Sequence, residues 1–229
     1  MTSHQLSRSQ LAARALIRLL LGFAILLAML LLSAGTMAYW EAWTYMVVLF
    51  VPMILALVYL LVNDPELLER RMRTREKDEK QNLIIKTGAI FYLLTFLVPG
   101  FDRRFGLSHV PDATVILADV FVLLGYLLFI LVLRENSYAS RVVEVERGQR
   151  VVTTGPYSIV RHPMYLAALV MYLFTPVALG SWWALIAALP LVAVMVVRIR
   201  NEEQHLMNEL EGYQEYTQIT KYRLIPGVW

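Results

Sequence analysis

Residues 163–197 read PMYLAALVMYLFTPVALGSWWALIAALPLVAVMVV, thirty-five positions without a charge. A single helix over this run would be roughly 52 Å long at about 1.5 Å per residue, too long for one membrane crossing. The run also holds Pro176, Gly180 and Pro190. It therefore predicts a helical hairpin folded near GSWW, two short helices of about 17 residues each. Working outward, Leu19 to Trp40 and Ala42 to Val62 are two further apolar runs. Thr87 to Phe101 is shorter and ends at Asp102, and Thr114 to Leu133 carries one acid, Asp119. The expectation is an all-α, polytopic membrane bundle of six spanning helices, or five if the third run is too short, with a C-terminal helical hairpin.

Composition agrees. Hydrophobic residues make up 58% of the 229 and charged residues 17%, against about half and a quarter in soluble domains. The first run is longer than a signal-peptide core and is kept as a helix. There is no cysteine, so disulfides, thiolate metal sites and a cysteine nucleophile are excluded. The net charge of +3 gives no argument for nucleic acid.

Arg and Lys mark the cytoplasmic side of membrane proteins. They collect in the N-terminal segment (Arg8, Arg14, Arg18), in the 63–86 loop, in 134–162 and in the tail. The intervening loops are poor, with Arg103 and Arg104 the exceptions. Both termini are expected inside. The chain reads as one membrane domain: N-terminal helices and a loop over 1–135, then a C-terminal core over 136–229. NDPELLERRM predicts a short helix with Asp64 as N-cap and Pro65 in its first turn. Beyond Val197, RIRNEEQHLMNELEGY continues the last helix into water as an amphipathic rod that stops at Gly212. The Tyr-rich tail ending in Trp229 suits a bilayer interface.

Two polar segments share the cytoplasmic face, Gln149 to Tyr165 and Arg198 to Glu203. A hairpin makes their ends neighbours, bringing His162 and Tyr165 beside Arg198 and Glu202. Arg198 and Glu202, four apart, share a helix face and can be either a plain ion pair or part of a site. Glu203 lies about 100° further round and is expected to be solvated. Arg161 reads equally as a flanking cation, His162 as an interfacial histidine bonded to backbone, and Tyr157 and Tyr165 as belt aromatics. Pro163 suits a helix's first turn. Asp119 is the single acid inside an apolar run. Such an acid is a functional candidate, although its place near the outer end lets it reach the interface. His4, His109, His162 and His205 show no ligand spacing, so no metal is expected. No G-x-G-x-x-G or P-loop is present, and Ser158 lacks a nucleophile-elbow setting.

VVTTGPYSIVRHPMY, RIRNEEQHL and GYQEYTQITKYRLIP, in this order, resemble the isoprenylcysteine carboxyl methyltransferase family, which includes many bacterial relatives. The likeness is close over 140–229 and extends to the NDPELLERRM loop. R-H-P-x-Y alone is shared with membrane phospholipid methyltransferases and sterol reductases. The resemblance implies an S-adenosyl-L-methionine-dependent methyltransferase without a Rossmann domain. It places the cofactor against the strip Gln149, Arg150, Val151 and Val152, then Tyr157, His162, Pro163, Met164 and Tyr165, and Glu202. It puts Arg198 at the acceptor carboxylate, with Arg161 a second catalytic candidate. The implied acceptor is a lipophilic small molecule or prenylated chain met at the membrane, with neither metal nor nucleic acid. The implied place is a bacterial inner membrane, active site facing the cytoplasm. An amine acceptor, as in phospholipid N-methylation, a nicotinamide-dependent membrane reductase and a non-enzymatic scaffold or small transporter remain rivals.

Overall fold

The computed structural model describes residues 7–72, 79–140, 145 and 148–229, and of 79–85 the backbone alone. The basic residues Arg73, Arg75, Lys77, Arg141 and Arg147 of the expected charge pattern lie outside the described residues. The described chain is helical: α1 (Arg8–Ala34), α2 (Trp40–Asn63), α3 (Pro65–Met72), α4 (Glu79–Phe105), α5 (Asp112–Glu135), a 3₁₀ turn (Gly155–Ser158), α6 (Pro163–Ala178), α7 (Trp183–Glu209) and α8 (Tyr213–Ile219). Among the described residues, α1, α2, α5 and α7 are long and apolar enough to cross a membrane, and α6 is a shorter apolar helix. This is the expected helical membrane bundle.

The hairpin turns where the sequence places it. α6 ends at Ala178, Gly180 takes the left-handed conformation at φ 73°, and α7 begins at Trp183. Pro190 lies inside α7, which continues as one helix through Arg198 to Glu209, past the last apolar residue of the run. The third helix departs from expectation. In place of a short segment over 87–101, α4 is a 27-residue helix that carries Asp102, Arg103 and Arg104 in its last turns. Those charges are satisfied locally, so they need not end the helix. Asp102 accepts from the Ser108 amide at 2.7 Å and from the Ser181 hydroxyl, while Arg103 pairs with Glu41 at 3.1 Å.

The most extensive helix pairing is α5 with α6, followed by α4 with α7 and α1 with α4. Gly125 permits the first of these. A Cβ there would come within 2.9 Å of the Met171 side chain and 3.1 Å of the Ala167 carbonyl. The main core joins Leu30, Tyr45, Met46, Phe50, Phe96, Val115, Val122 and Val177 from α1, α2, α4, α5 and α6. Outward faces stay apolar, as at Leu20, Leu21 and Ile25 of α1, which suits contact with lipid tails.

At the basic end of the bundle, α3 begins as the sequence predicts, with the Asp64 carboxylate accepting from the Leu67 amide at 2.9 Å. Its arginines then brace the segment after α5. Arg70 donates to the Ser137 carbonyl at 2.9 Å, and Arg71 to the Ala139 carbonyl at 2.8 Å. The Arg71 guanidinium also lies over the Phe129 ring. Asp119 differs from its interfacial reading. It is 5% exposed inside the bundle, and neither carboxylate oxygen has a hydrogen-bond partner among the described residues. α5 is apolar almost all round, so any residue on its packed face is buried whatever its polarity.

Candidate functional site

A cavity opens at this same end, between the close of α5, the start of α6, the extension of α7 and α8. Its walls are built by three arrangements.

The first is the turn before α6. Gly155 has φ 56°, and a Cβ would come within 3.0 Å of the Glu135 carboxyl carbon, so both the left-handed backbone and the close approach require glycine here. Thr154 donates to the same Glu135. Asn136 donates to the Tyr157 hydroxyl at 2.8 Å, while the Tyr157 carbonyl accepts from the Tyr216 hydroxyl at 2.7 Å. The turn is thus fastened to α5 on one side and to α8 on the other.

The second arrangement centres on Glu203, which is 2% exposed. Its Oε1 accepts from Arg161 Nε at 2.7 Å and meets His162 Nε2 at 3.2 Å, while its Oε2 accepts from Arg223 Nε at 2.5 Å. Arg161 further donates from Nη1 to the Thr220 and Lys221 carbonyls, both at 2.8 Å. The Arg161 and His162 amides donate to the Tyr222 and Arg223 carbonyls, both at 2.9 Å. The tail therefore runs as a backbone seam along the entrance to α6. This seam covers the face of α7 on which Glu203 stands, which is why that carboxylate is buried rather than solvated. Its desolvation is offset by the cations around it. His162, used in this cluster, makes no side-chain cap for α6, and Pro163 fills the first helical position.

The third is a chain of hydrogen bonds across the hairpin. The Tyr165 hydroxyl donates to Glu202 Oε2 at 2.5 Å and accepts from Arg198 Nε at 2.7 Å. The tyrosine stands between the two residues whose four-residue spacing suggested a simple ion pair.

All twelve sequence-predicted residues border this cavity: Gln149, Arg150, Val151 and Val152, then Tyr157, then Arg161 through Tyr165, and Arg198 and Glu202. Arg161 has its Nε and Nη1 engaged with Glu203 and the tail, which suits it to hold the wall. Sequence reasoning did not single out Asn136, Tyr138, Ala139, Ser140, Val145, His205, Leu206, Leu210, Tyr213 or Tyr216. For His205 a signal existed, since it follows Glu202 by three positions on the same helix face. For residues 136–140 there was none, because their approach depends on the bracing by α3.

The walls differ in character. Tyr157, Tyr213 and Tyr216 pack with Val145, Val151, Leu206 and Leu210 into one apolar, aromatic cluster. Burial pushes the Tyr216 phenol up to about 12 and raises the Tyr157 and Tyr213 phenols further. These hydroxyls remain protonated at neutral pH, and that of Tyr216 donates to the Tyr157 carbonyl. Arg198, Tyr165 and Glu202 supply the charged wall. A ligand with a flat heterocycle at one end and charged groups at the other matches this division. The described residues contain no group of three or more His, Asp or Glu able to hold a metal.

Residues 113–212 match the family model PEMT, phospholipid methyltransferase. That span runs from the start of α5 to Gly212 and includes the whole lining except Tyr213 and Tyr216. No match is found among curated proteins.

Proposed function

We propose that this integral membrane methyltransferase, which carries a phospholipid-methyltransferase-family domain over residues 113–212, uses S-adenosyl-L-methionine to methylate a lipid-borne acceptor at the cytoplasmic surface of the membrane. The observation that carries the reading is the cavity itself. A charged wall and an aromatic wall meet at the basic end of a lipid-facing bundle, and residues from both halves of the hairpin line them. The residues fit the cofactor chemically. Tyr157 and its neighbours offer aromatic faces to an adenine, Glu202 accepts from hydroxyl or ammonium groups, and the Tyr213 hydroxyl is a buried polar atom with no partner among the described residues. Bound there, the cofactor supplies a methyl group on a positively charged sulfur. On this reading the cofactor core is 136–229, and the strip Gln149 to Val152 forms its backbone edge.

The preferred acceptor is a carboxylate on an isoprenoid or other lipophilic molecule. A carboxylate is already ionised at neutral pH and needs only alignment, which can contribute up to about 7–11 kcal/mol. Arg198 can grip it through a paired guanidinium contact while Tyr165 and Glu202 fix the arginine's orientation. The match to a phospholipid methyltransferase model favours a second reading, an amine headgroup. An amine must shed a proton, and Glu202 is the carboxylate on that wall.

The test uses purified protein in lipid vesicles with methyl-labelled cofactor. Base-labile label in a lipid ester supports the carboxylate, stable label on a headgroup amine supports the second reading, and absence of lipid label discards both. Calorimetry is expected to show cofactor binding that Glu202→Ala weakens. Arg198→Lys is expected to keep binding and lose turnover, and normal turnover in that variant would remove Arg198 from its role.

A further inference from the structure

Three tyrosines stand in the aromatic wall, and two have their hydroxyls engaged. Tyr216 donates to the Tyr157 carbonyl at 2.7 Å, and the Tyr157 hydroxyl accepts from Asn136 at 2.8 Å. The third, Tyr213, is 4% exposed. Its hydroxyl is shut off from water and has no partner among the described residues. Leaving a buried hydroxyl unpaired costs stability, and such a group beside a ligand cavity is suited to take a partner from a ligand.

We infer that the Tyr213 hydroxyl is a binding contact for the nucleoside part of the cofactor, a purine nucleoside held against the α8 wall. The inference rests on the function proposed above. The choice of the nucleoside follows from the surroundings. Tyr213 packs against Tyr216 with ring centroids 5.7 Å apart, in a cluster otherwise made by Leu206, Leu210, Val145 and Val151. That wall suits a flat, uncharged heterocycle with hydrogen-bonding edges. It offers little to a zwitterionic amino acid end, whose ammonium Glu202 on the charged wall can take. The phenol is neutral, raised by burial and by nearby Glu203 and Glu202, so it brings one donor and an acceptor oxygen to a neutral base or sugar. The Cα of Tyr213 lies one residue beyond Gly212, whose φ of 83° turns the chain from α7 into α8. The hydroxyl is thus delivered by the elbow between the two helices.

The experiment compares full-length wild type and Tyr213→Phe in detergent, by calorimetry with S-adenosylhomocysteine and with 5′-methylthioadenosine, which lacks the amino acid end. Melting of the ligand-free proteins is recorded alongside. The expected result is that Tyr213→Phe weakens both ligands by a similar factor of about three- to ten-fold. Ligand-free melting should be unchanged or raised, because the variant deletes an unpaired buried hydroxyl. Equal binding by both proteins overturns the inference. Weakening of S-adenosylhomocysteine alone overturns it too, by assigning the hydroxyl to the amino acid end. A lowered ligand-free melting temperature overturns it by revealing a structural partner. Wild type that binds neither ligand removes this inference and the proposed cofactor together, whereas the preceding outcomes leave the cofactor standing.

Discussion

Two of the acids buried in this bundle, Glu203 and Asp119, are treated in opposite ways. Glu203, at the basic end, is met by Arg161, His162 and Arg223. Asp119, within α5 toward the other end, has no partner for either oxygen among the described residues. Both are nearly inaccessible to solvent. A buried carboxylate costs several kcal/mol unless paired and hydrogen-bonded, so the first is part of what holds its region together and the second weakens its own. The basic end is built by polar contacts over long sequence separations. The middle rests mainly on apolar packing, while the opposite end has polar ties of its own, among them the Ser181 hydroxyl to Asp102, Arg103 to Glu41 at 3.1 Å and the Tyr39 hydroxyl to the Leu179 carbonyl at 2.6 Å, none of which reaches Asp119.

The comparison can be broken most directly at Glu203. Glu203→Ala leaves two guanidinium groups and an imidazole without their shared acceptor, and a loss of about 3–5 kcal/mol is expected in denaturation measured in detergent. A loss below about 1 kcal/mol would show that the tail seam is held by its backbone bonds alone. Asp119→Val should act in the other direction, stabilising by about 1–3 kcal/mol through removal of an unpaired buried group. If it destabilises instead, the acid has a role that offsets its cost, and the contrast between the two ends fails. The smallest effect belongs to Arg223→Ala. Its side chain is 35% exposed, so solvent screens its pairing with Glu203 and a loss below about 1 kcal/mol is expected. A much larger loss would mean that Arg223, which also lies over the Trp229 ring, anchors the tail by itself.

These same residues mark where the sequence was legible. The hairpin could be read because Pro176 and Gly180 interrupt an uncharged run that is too long for one crossing. The start of α3 could be read because Asp64 and Pro65 form a local signal. The convergence of 149–165 with 198–203 followed from the hairpin, and the lining of one cavity by all twelve named residues agrees with it. Glu203 was misjudged because helix periodicity gives only an angle relative to Glu202. The angle has a meaning only once the tail has folded along that face, and no periodicity announces a backbone seam between 161–162 and 222–223. Asp119 could not be assigned a face for a related reason. An almost wholly apolar helix carries no pattern to distinguish its packed face from its lipid face. α4 was drawn too short because its charged last turns were read as leaving the helix, while Ser108, Ser181 and Glu41 neutralise their cost from other segments.

The seam also fixes an order of assembly. Arg161 donates to the carbonyl of Lys221, 60 residues later in the chain. Chains emerge from the ribosome N-terminus first. Both arms of the hairpin must therefore be synthesised before the strip that pins Arg161 and His162 exists. A nascent chain can lodge in the bilayer while the entrance to α6 is still unpinned, so the cavity takes its final shape only after insertion is over.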